Sequence, residues 1–336
     1  MKEDKISIIV PSYNQGSYIE NVIKSTLNQT YSEWELIIQD GASKDNTKEI
    51  CEKYALLDNR IIFFSEPDKG FADAVNKAID KATGKWAIIQ SSDDFFASPY
   101  VFEEMLNISK QFKSLKIISG SAVVIDDNFN HLKTGDKKES IVHAESVYTL
   151  KDNFSQGATF FLLDRAKEIG KLDPTVDMVA DTDFWIRYCC YYPIHINSIY
   201  QTARIWCCVL IQPNQRSAVF SNFYLGRAKM SIKHLSDSNI KYTDEFKRKQ
   251  ADQLIESAFS HFNLYNIDLS PLKKVYEKFY NKTYLKPTPI RHSPLKTWVK
   301  RKLGIKINDP SFYTPNSISE IYTSNNNKTG YNYKWF

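Results

Sequence analysis

The sequence predicts an α/β fold: a mostly parallel sheet with flanking helices, followed by a C-terminal helical extension. Three observations carry this. Over the first 126 residues, short apolar runs alternate with amphipathic stretches at helical spacing. Each apolar run ends in a cluster of polar residues and turn formers. From about residue 219 the pattern becomes helical throughout. Strand–helix alternation at this pace builds βαβ units and covers both faces of a parallel sheet.

The elements follow in order. KISIIVPSYN (5–14) reads as a first strand and SYIENVIKSTLNQ (17–29) as a helix, with Ile19, Val22, Ile23 and Leu27 on one face and Ser17-x-x-Glu20 as a capping box. WELIIQD (34–40) is a second strand, and NTKEICEKYA (46–55) a helix that Asn46 is placed to cap. RIIFFSEP (60–67) is a third strand, GFADAVNKAIDKATG (70–84) a helix ending at Gly84, and KWAIIQSSDD (85–94) a fourth strand. SPYVFEEMLNISKQF (98–112) opens with a serine cap and a proline at the first helical position. KIISGSAVVID (116–126) is a fifth strand. Beyond it, GATFFLLD (157–164) and IHINSIYQTARIWCCVLI (194–211) read as strands and DTDFWIRYCCYY (181–192) as a helix. The expected division is 1–218, itself split into halves 1–126 and 127–218, then a helical extension over 219–285 and a basic segment with an irregular tail over 286–336.

Composition narrows the class. In 336 residues, 42% apolar and 25% charged content is that of an ordinary globular protein, and a net charge of +5 is too mild for a nucleic-acid binder. None of the five cysteines has the spacing of a zinc site, so they are expected to be buried thiols. The chain runs from MKEDK straight into a strand, and no apolar run reaches the roughly 18 residues of a membrane span. A cytoplasmic protein is expected. The stretch Lys282 to Lys306 holds eight Lys or Arg and no acid. Two readings of PLKTWVKRKLGIKI (294–307) stand: contact with an anionic membrane surface, or a helix packed on the rest of the protein with a solvated basic face.

Ligands in open α/β sheets bind beyond the carboxyl ends of the strands. Those ends are Pro11-Ser12-Tyr13-Asn14, Asp40-Gly41-Ala42-Ser43, Glu66-Pro67-Asp68-Lys69-Gly70 and Ser91-Ser92-Asp93-Asp94. The glycine fingerprint of a dinucleotide fold, the P-loop and the nucleophile elbow of serine hydrolases are all absent. What remains is a sheet edge with carboxylates at several strand ends. Asp93 and Asp94 read either as ligands of Mg²⁺ or Mn²⁺, hard cations completed by a substrate diphosphate, or as an acidic turn before the helix that starts near Ser98.

ISIIVPSYNQGSYIENVIKSTLNQTYSEWELIIQDGASKDNT and SEPDKGFADAVNKAIDKATGKWAIIQSSDDFF resemble the opening and the donor segment of the family 2 glycosyltransferases. The resemblance covers about residues 5 to 100 closely and 150 to 217 more loosely. It implies a GT-A (Rossmann-like) fold, a nucleotide-sugar donor, a divalent metal (Mn²⁺ or Mg²⁺) and inversion at the anomeric carbon. Carried onto this sequence, it implies that Pro11 and Tyr13 line the nucleotide pocket and that Asp40 accepts a hydrogen bond from the base. Asp68, Asp73 and Asn76 would border the donor. Ser92, Asp93 and Asp94 stand where the family has its metal motif, with Gln90 and Ser91 at positions where the family often has Asp or Asn. SQGATFF (155–161) resembles the acceptor-side strand and brings in Gln156. VADTDFWIR (179–187) resembles the segment with the catalytic base, which implies Asp181 as base with Asp183 beside it, although Ala180 replaces the usual Glu.

The implied acceptor is a glycan or lipid-linked hydroxyl in bacterial surface polysaccharide assembly, with UDP or dTDP as the favoured donor nucleotide. A metal-dependent nucleotidyltransferase and a catalytically silent sugar-binding module on the same fold are the alternatives.

Overall fold

The computed structural model describes residues 4–135, 137–142, 154–190, 198–212, 220–237 and 246–252, with residues 244, 270, 277 and 278 besides. The expected basic segment 286–306 and most of the extension 238–285 lie outside these described residues.

The apolar runs form the strands β1 (Ile6–Ser12), β2 (Trp34–Asp40), β3 (Ile61–Ser65) and β4 (Trp86–Ile89), which pair in parallel in the order β3-β2-β1-β4. Every residue of β1, β2 and β4 is buried, as parallel strands covered on both faces must be. The register puts Ser12, Asp40 and Ser65 level at one edge. After β1 the chain adds strands on one side, and after β3 it crosses to the other. The gap between the carboxyl ends of β1 and β4 is therefore the topological switch point, where a ligand crevice opens.

The same sheet continues beyond β4. The strands β5 (Phe95–Phe96), β6 (Ile117–Ile125), β9 (Thr159–Leu162) and β10 (Ile199–Leu210) extend it in the order β4-β9-β6-β10-β5, with β7 (His131–Thr134) and β8 (Ser140–Ile141) off the main path. Of these, β9 runs antiparallel to both its neighbours, and β6 and β10 are parallel to each other. Alternate residues feed two cores. On one face Ile9, Ile37, Ile89 and Phe161 pack under α3 (Phe71–Lys81), α5 (Leu163–Glu168) and α6 (Ala180–Cys190). On the other, Ile8, Val10, Leu36 and Phe160 pack under α1 (Ile19–Leu27), α2 (Thr47–Leu57) and α4 (Val101–Gln111). α7 (Phe220–Ser236) joins the first face through Met230.

Several local expectations are corrected. The capping box at Ser17 does not form: α1 starts at Ile19, and Glu20 bonds Lys24 and Tyr54 instead. Asn46 is at the N-cap of α2 without a capping bond, because Asp45 already accepts from the Thr47 N–H. α3 ends at Lys81 rather than Gly84, and α4 begins two residues after Pro99. GATFFLLD divides into a 3₁₀ turn, β9 and the start of α5. The two-residue strand β5 had no periodic signal; its partner Cys207-Cys208 in β10 makes it. Cys51, Cys189, Cys207 and Cys208 are free and buried. Burial pushes the Cys51, Cys189 and Cys208 thiols up to about 12, which leaves them inert.

Candidate active site

A cavity of about 860 Å³ lies over the switch point. Three loops after parallel strands build its first wall. The turn after β1 is tied to the turn after β2 by consecutive backbone donors: Asn14 N–H bonds Ser43 Oγ (2.7 Å), Gln15 N–H bonds Thr47 Oγ1 (2.8 Å) and Gly16 N–H bonds Asp45 Oδ2 (2.9 Å). Asn14 and Ala42 adopt left-handed backbone conformations, a strain these bonds hold in place. Pro11, Ser12 and Tyr13 face the cavity, and the buried Ser12 hydroxyl has no partner among the described residues.

Asp40 does not face it. The carboxylate is completely buried and accepts from the Ser43 N–H (2.9 Å), the Ser43 hydroxyl and the Ser65 hydroxyl (2.7 Å). Asp40, expected at the nucleotide base, shapes the loop from beneath, and its neighbour Gly41 lines the cavity. The missing side chain leaves room for Asp68, since a Cβ would stand 2.5 Å from Asp68 Oδ2 and the carboxylate would have to shift. That close approach brings Asp68 to the cavity, and Asp68 in turn accepts from the Gly70 N–H at 2.8 Å. Asp73 and Asn76, expected to border the donor, do not line the cavity. Asp73 accepts from the Lys69 N–H and closes the loop into α3. Asn76 clamps Leu172, donating to its carbonyl (2.8 Å) and accepting from its N–H (2.9 Å).

At the end of β4, Ser92 and Asp93 line the cavity and Asp94 does not. Asp93 accepts from the Gln212 side chain at 2.7 Å, and Asp94 accepts from the Leu210 N–H at 3.0 Å. The carboxylates thus pin the end of β4 to the end of β10. Burial raises the Asp93 carboxyl above its ordinary value, and burial together with the charge of Asp93 raises Asp94 well above it. Among the described residues no Lys, Arg or His appears among the groups that act on either. Two buried like charges without a cationic partner are costly, and this donor set fits a divalent cation. Among the described residues no cluster of three or more His, Cys, Asp or Glu forms a protein-only metal cage. The fit is therefore to an ion that takes its remaining oxygens from substrate and water. Asp93 is the residue that reaches the cavity; the expected second ligand, Asp94, faces the sheet instead.

The opposite wall comes from Gln156 in the 3₁₀ turn Gln156–Ala158, Met178 in the 3₁₀ segment Pro174–Val179, and Ala180 and Asp181 at the head of α6. α6 is seated by aromatic edges: Phe161 of β9 meets Phe184, Trp185 and Tyr188 at 5.4 to 6.0 Å between centroids. Such pairs contribute about 0.5–1.5 kcal/mol each beyond their burial. Asp183 belongs to a different environment. It is completely buried, does not line the cavity, and accepts from Arg187 (2.6 Å), Lys233 (3.0 Å) and His234 (2.7 Å). Burial alone would raise its carboxyl. The His234 hydrogen bond and the charges of Arg187, His234 and Lys233 outweigh that and hold it far below the ordinary range. Asp183, expected on the acceptor side, is thus turned away from the cavity and into this ionic cluster.

The cavity thus gathers Pro11, Tyr13, Asp68, Ser92, Asp93, Gln156 and Asp181. Sequence reading missed Gln15, Phe71, Met178 and Gln212. Gln212 was within reach of the strand-end rule, since it follows β10; Met178 had no signal, because a 3₁₀ segment has no apolar period to read.

The architecture is that of the GT-A glycosyltransferases. S. aureus TarS 1–349 in complex with UDP shares it at a TM-score of 0.55 and 19% identity, over 82% of this chain and 77% of that one. The mannosyltransferase PcManGT from Pyrobaculum calidifontis in complex with GDP-Man and Mn²⁺ shares it at 0.53 and 14%, over 95% and 84%. Residues 7–167, just under half of the chain, match the model of glycosyl transferase family 2. A curated relative, the teichuronic acid biosynthesis glycosyltransferase TuaG of Bacillus subtilis (strain 168), is 29% identical over 186 residues, 54% of this chain and 70% of TuaG.

Proposed function

We propose that the protein is an inverting glycosyltransferase that moves a sugar from a nucleotide-diphosphate donor, UDP or dTDP in preference to GDP, onto a hydroxyl of a glycan or lipid-linked acceptor. One observation carries the reading: Asp93, from the strand-end wall, and Asp181, from the opposite wall, line the same cavity. The division of labour follows from their surroundings. Tyr13, Gly41 and Asp68 border the nucleotide end. Asp93 is the residue that would hold Mn²⁺ or Mg²⁺, which as a Lewis acid stabilises the charge that grows on the leaving diphosphate. Asp181 takes the proton of the acceptor hydroxyl during attack. A single carboxylate on the acceptor side serves direct displacement, so no covalent intermediate is needed and the anomeric configuration inverts.

The UDP complex of TarS and the name of TuaG support a UDP-linked donor and a role in bacterial surface polysaccharide assembly. Among the described residues no helix is long and apolar enough to cross a membrane. A cytoplasmic setting with contact to an anionic membrane surface through 286–306 completes the proposal. Hydrolysis of a panel of nucleotide sugars with Mn²⁺, read as released nucleotide, tests the core of it. UDP- or dTDP-sugars are expected to turn over; a panel with no hydrolysis but intact nucleotide binding would favour a silent sugar-binding module.

A further inference from the structure

The wall that carries Met178 and Asp181 has no strand of its own, and α7, which lies beyond the part of the chain matched by the family model, packs against it. Two independent contacts do this. The first is Gly226, buried in α7, where a Cβ would stand 2.6 Å from the Val176 carbonyl oxygen, 3.3 Å from Val179 Cγ2 and 3.6 Å from Met178 N. The helix therefore lies directly on the backbone of the 3₁₀ segment. The second is the ionic knot: Lys233 bonds Asp173 at 2.6 Å just before that segment and Asp183 at 3.0 Å just after it, and His234 bonds Asp183 at 2.7 Å. Arg187 completes the knot, donating to Asp183 and to the carbonyls of Ile169 and Lys171.

Asp181 and Asp183 share one helical turn. Fixing Asp183 from three sides fixes the rotation of that turn about its axis, and hence the direction of Asp181. We propose that α7 is a working part of the transfer site, with Gly226, Lys233 and His234 as positioning residues that set where Met178 and Asp181 stand. The inference rests on the reading of Asp181 as acceptor-side base for the reaction it serves; the placement it describes is independent of that reading. Displacing a reacting group by about 1 Å costs on the order of 10² in rate, so a helix that makes no contact with donor or acceptor can govern turnover.

The test uses the full chain with Gly226→Ala, Lys233→Met and the conservative Lys233→Arg. Three readouts are compared: UDP affinity with Mn²⁺ by calorimetry, UDP-GlcNAc hydrolysis with Mn²⁺, and hydrogen exchange of the peptide covering 174–183. In Gly226→Ala and Lys233→Met, UDP affinity should stay within about twofold of wild type. Hydrolysis should fall roughly tenfold or more. Exchange over 174–183 should rise by about fivefold or more, with the peptides at the ends of β1 to β4 unchanged. Lys233→Arg should recover most of both effects. Should Gly226→Ala fail to fold, the Lys233 pair carries the same comparison. Unchanged exchange over 174–183 in a folded variant, or a rise spread evenly over the whole protein, overturns the inference and leaves a purely structural role. Exchange needs no substrate: a wild type that hydrolyses no UDP-GlcNAc counts against the functional reading, while the exchange result still decides this one.

Discussion

Two acidic pairs stand on opposite sides of the cavity, Asp93-Asp94 at the end of β4 and Asp181/Asp183 at the head of α6. Each sends one carboxylate into the cavity and buries the other. The buried members differ in company. Asp183 meets three basic side chains, and its carboxyl is held far below the ordinary range. Asp94 meets a backbone N–H, the Ser91 side chain and a second carboxylate, and its carboxyl is raised well above that range. One pair is neutralised by the protein itself. Among the described residues no basic group neutralises the other, and that fits a cation from outside. Burial is common to both, so compensation, not burial, separates a structural acid from one poised for a cation.

The largest effect that would sharpen this contrast is on turnover. Asp181→Asn keeps size and hydrogen bonding but cannot take a proton, and turnover should fall by roughly 10² to 10⁴. UDP affinity should be nearly unchanged; a fully active Asp181→Asn would put the base elsewhere.

Next is stability on the same helix. Asp183→Asn leaves Arg187 and Lys233 facing a neutral group and should lose about 3–5 kcal/mol in urea unfolding. The sign with pH is fixed. A depressed folded-state value gives stability that is complete above the unfolded value of about 3.9 and is lost as pH falls through it toward the folded value. The gap between wild type and Asp183→Asn should therefore narrow in acid; a gap that widens below pH ~4 would contradict the compensated state.

On the uncompensated side, Asp93→Ala should remove the Mn²⁺-dependent part of UDP affinity while the protein stays folded. Asp94→Asn removes a charge that no basic group among the described residues offsets, and should raise the melting temperature without metal, the opposite of Asp183→Asn. Calorimetry and thermal melts read the two. A metal-free Asp94→Asn less stable than wild type would break the comparison.

The smallest effect falls on a residue that the family resemblance placed at the donor. Asn76→Ala frees the two backbone groups of Leu172 and should cost about 1–3 kcal/mol, with UDP affinity unchanged. A loss of UDP affinity without loss of stability would return Asn76 to the donor site.

The sequence by itself determined the sheet edge. In β1, β2 and β4 the apolar runs are long enough to fix strand, direction and end, and a parallel strand's end is where the next loop must begin. Pro11, Tyr13, Asp68, Ser92 and Asp93 were therefore legible as cavity residues from their place after a strand. Which carboxylate of a neighbouring pair faces the cavity was not. Asp40, Asp73 and Asp94 occupy positions as suggestive as Asp68 and Asp93, yet each is turned to a backbone N–H or a serine hydroxyl that only packing supplies. Asp183 reads like Asp181 until Lys233 and His234, some fifty residues on, are brought against it. Strand order, the two-residue strand β5 and the seat of α6 on Phe161 were likewise decided by tertiary contact. Periodicity reports which face of one element is apolar; the partner of a buried charge comes from another part of the chain, and no local pattern encodes it.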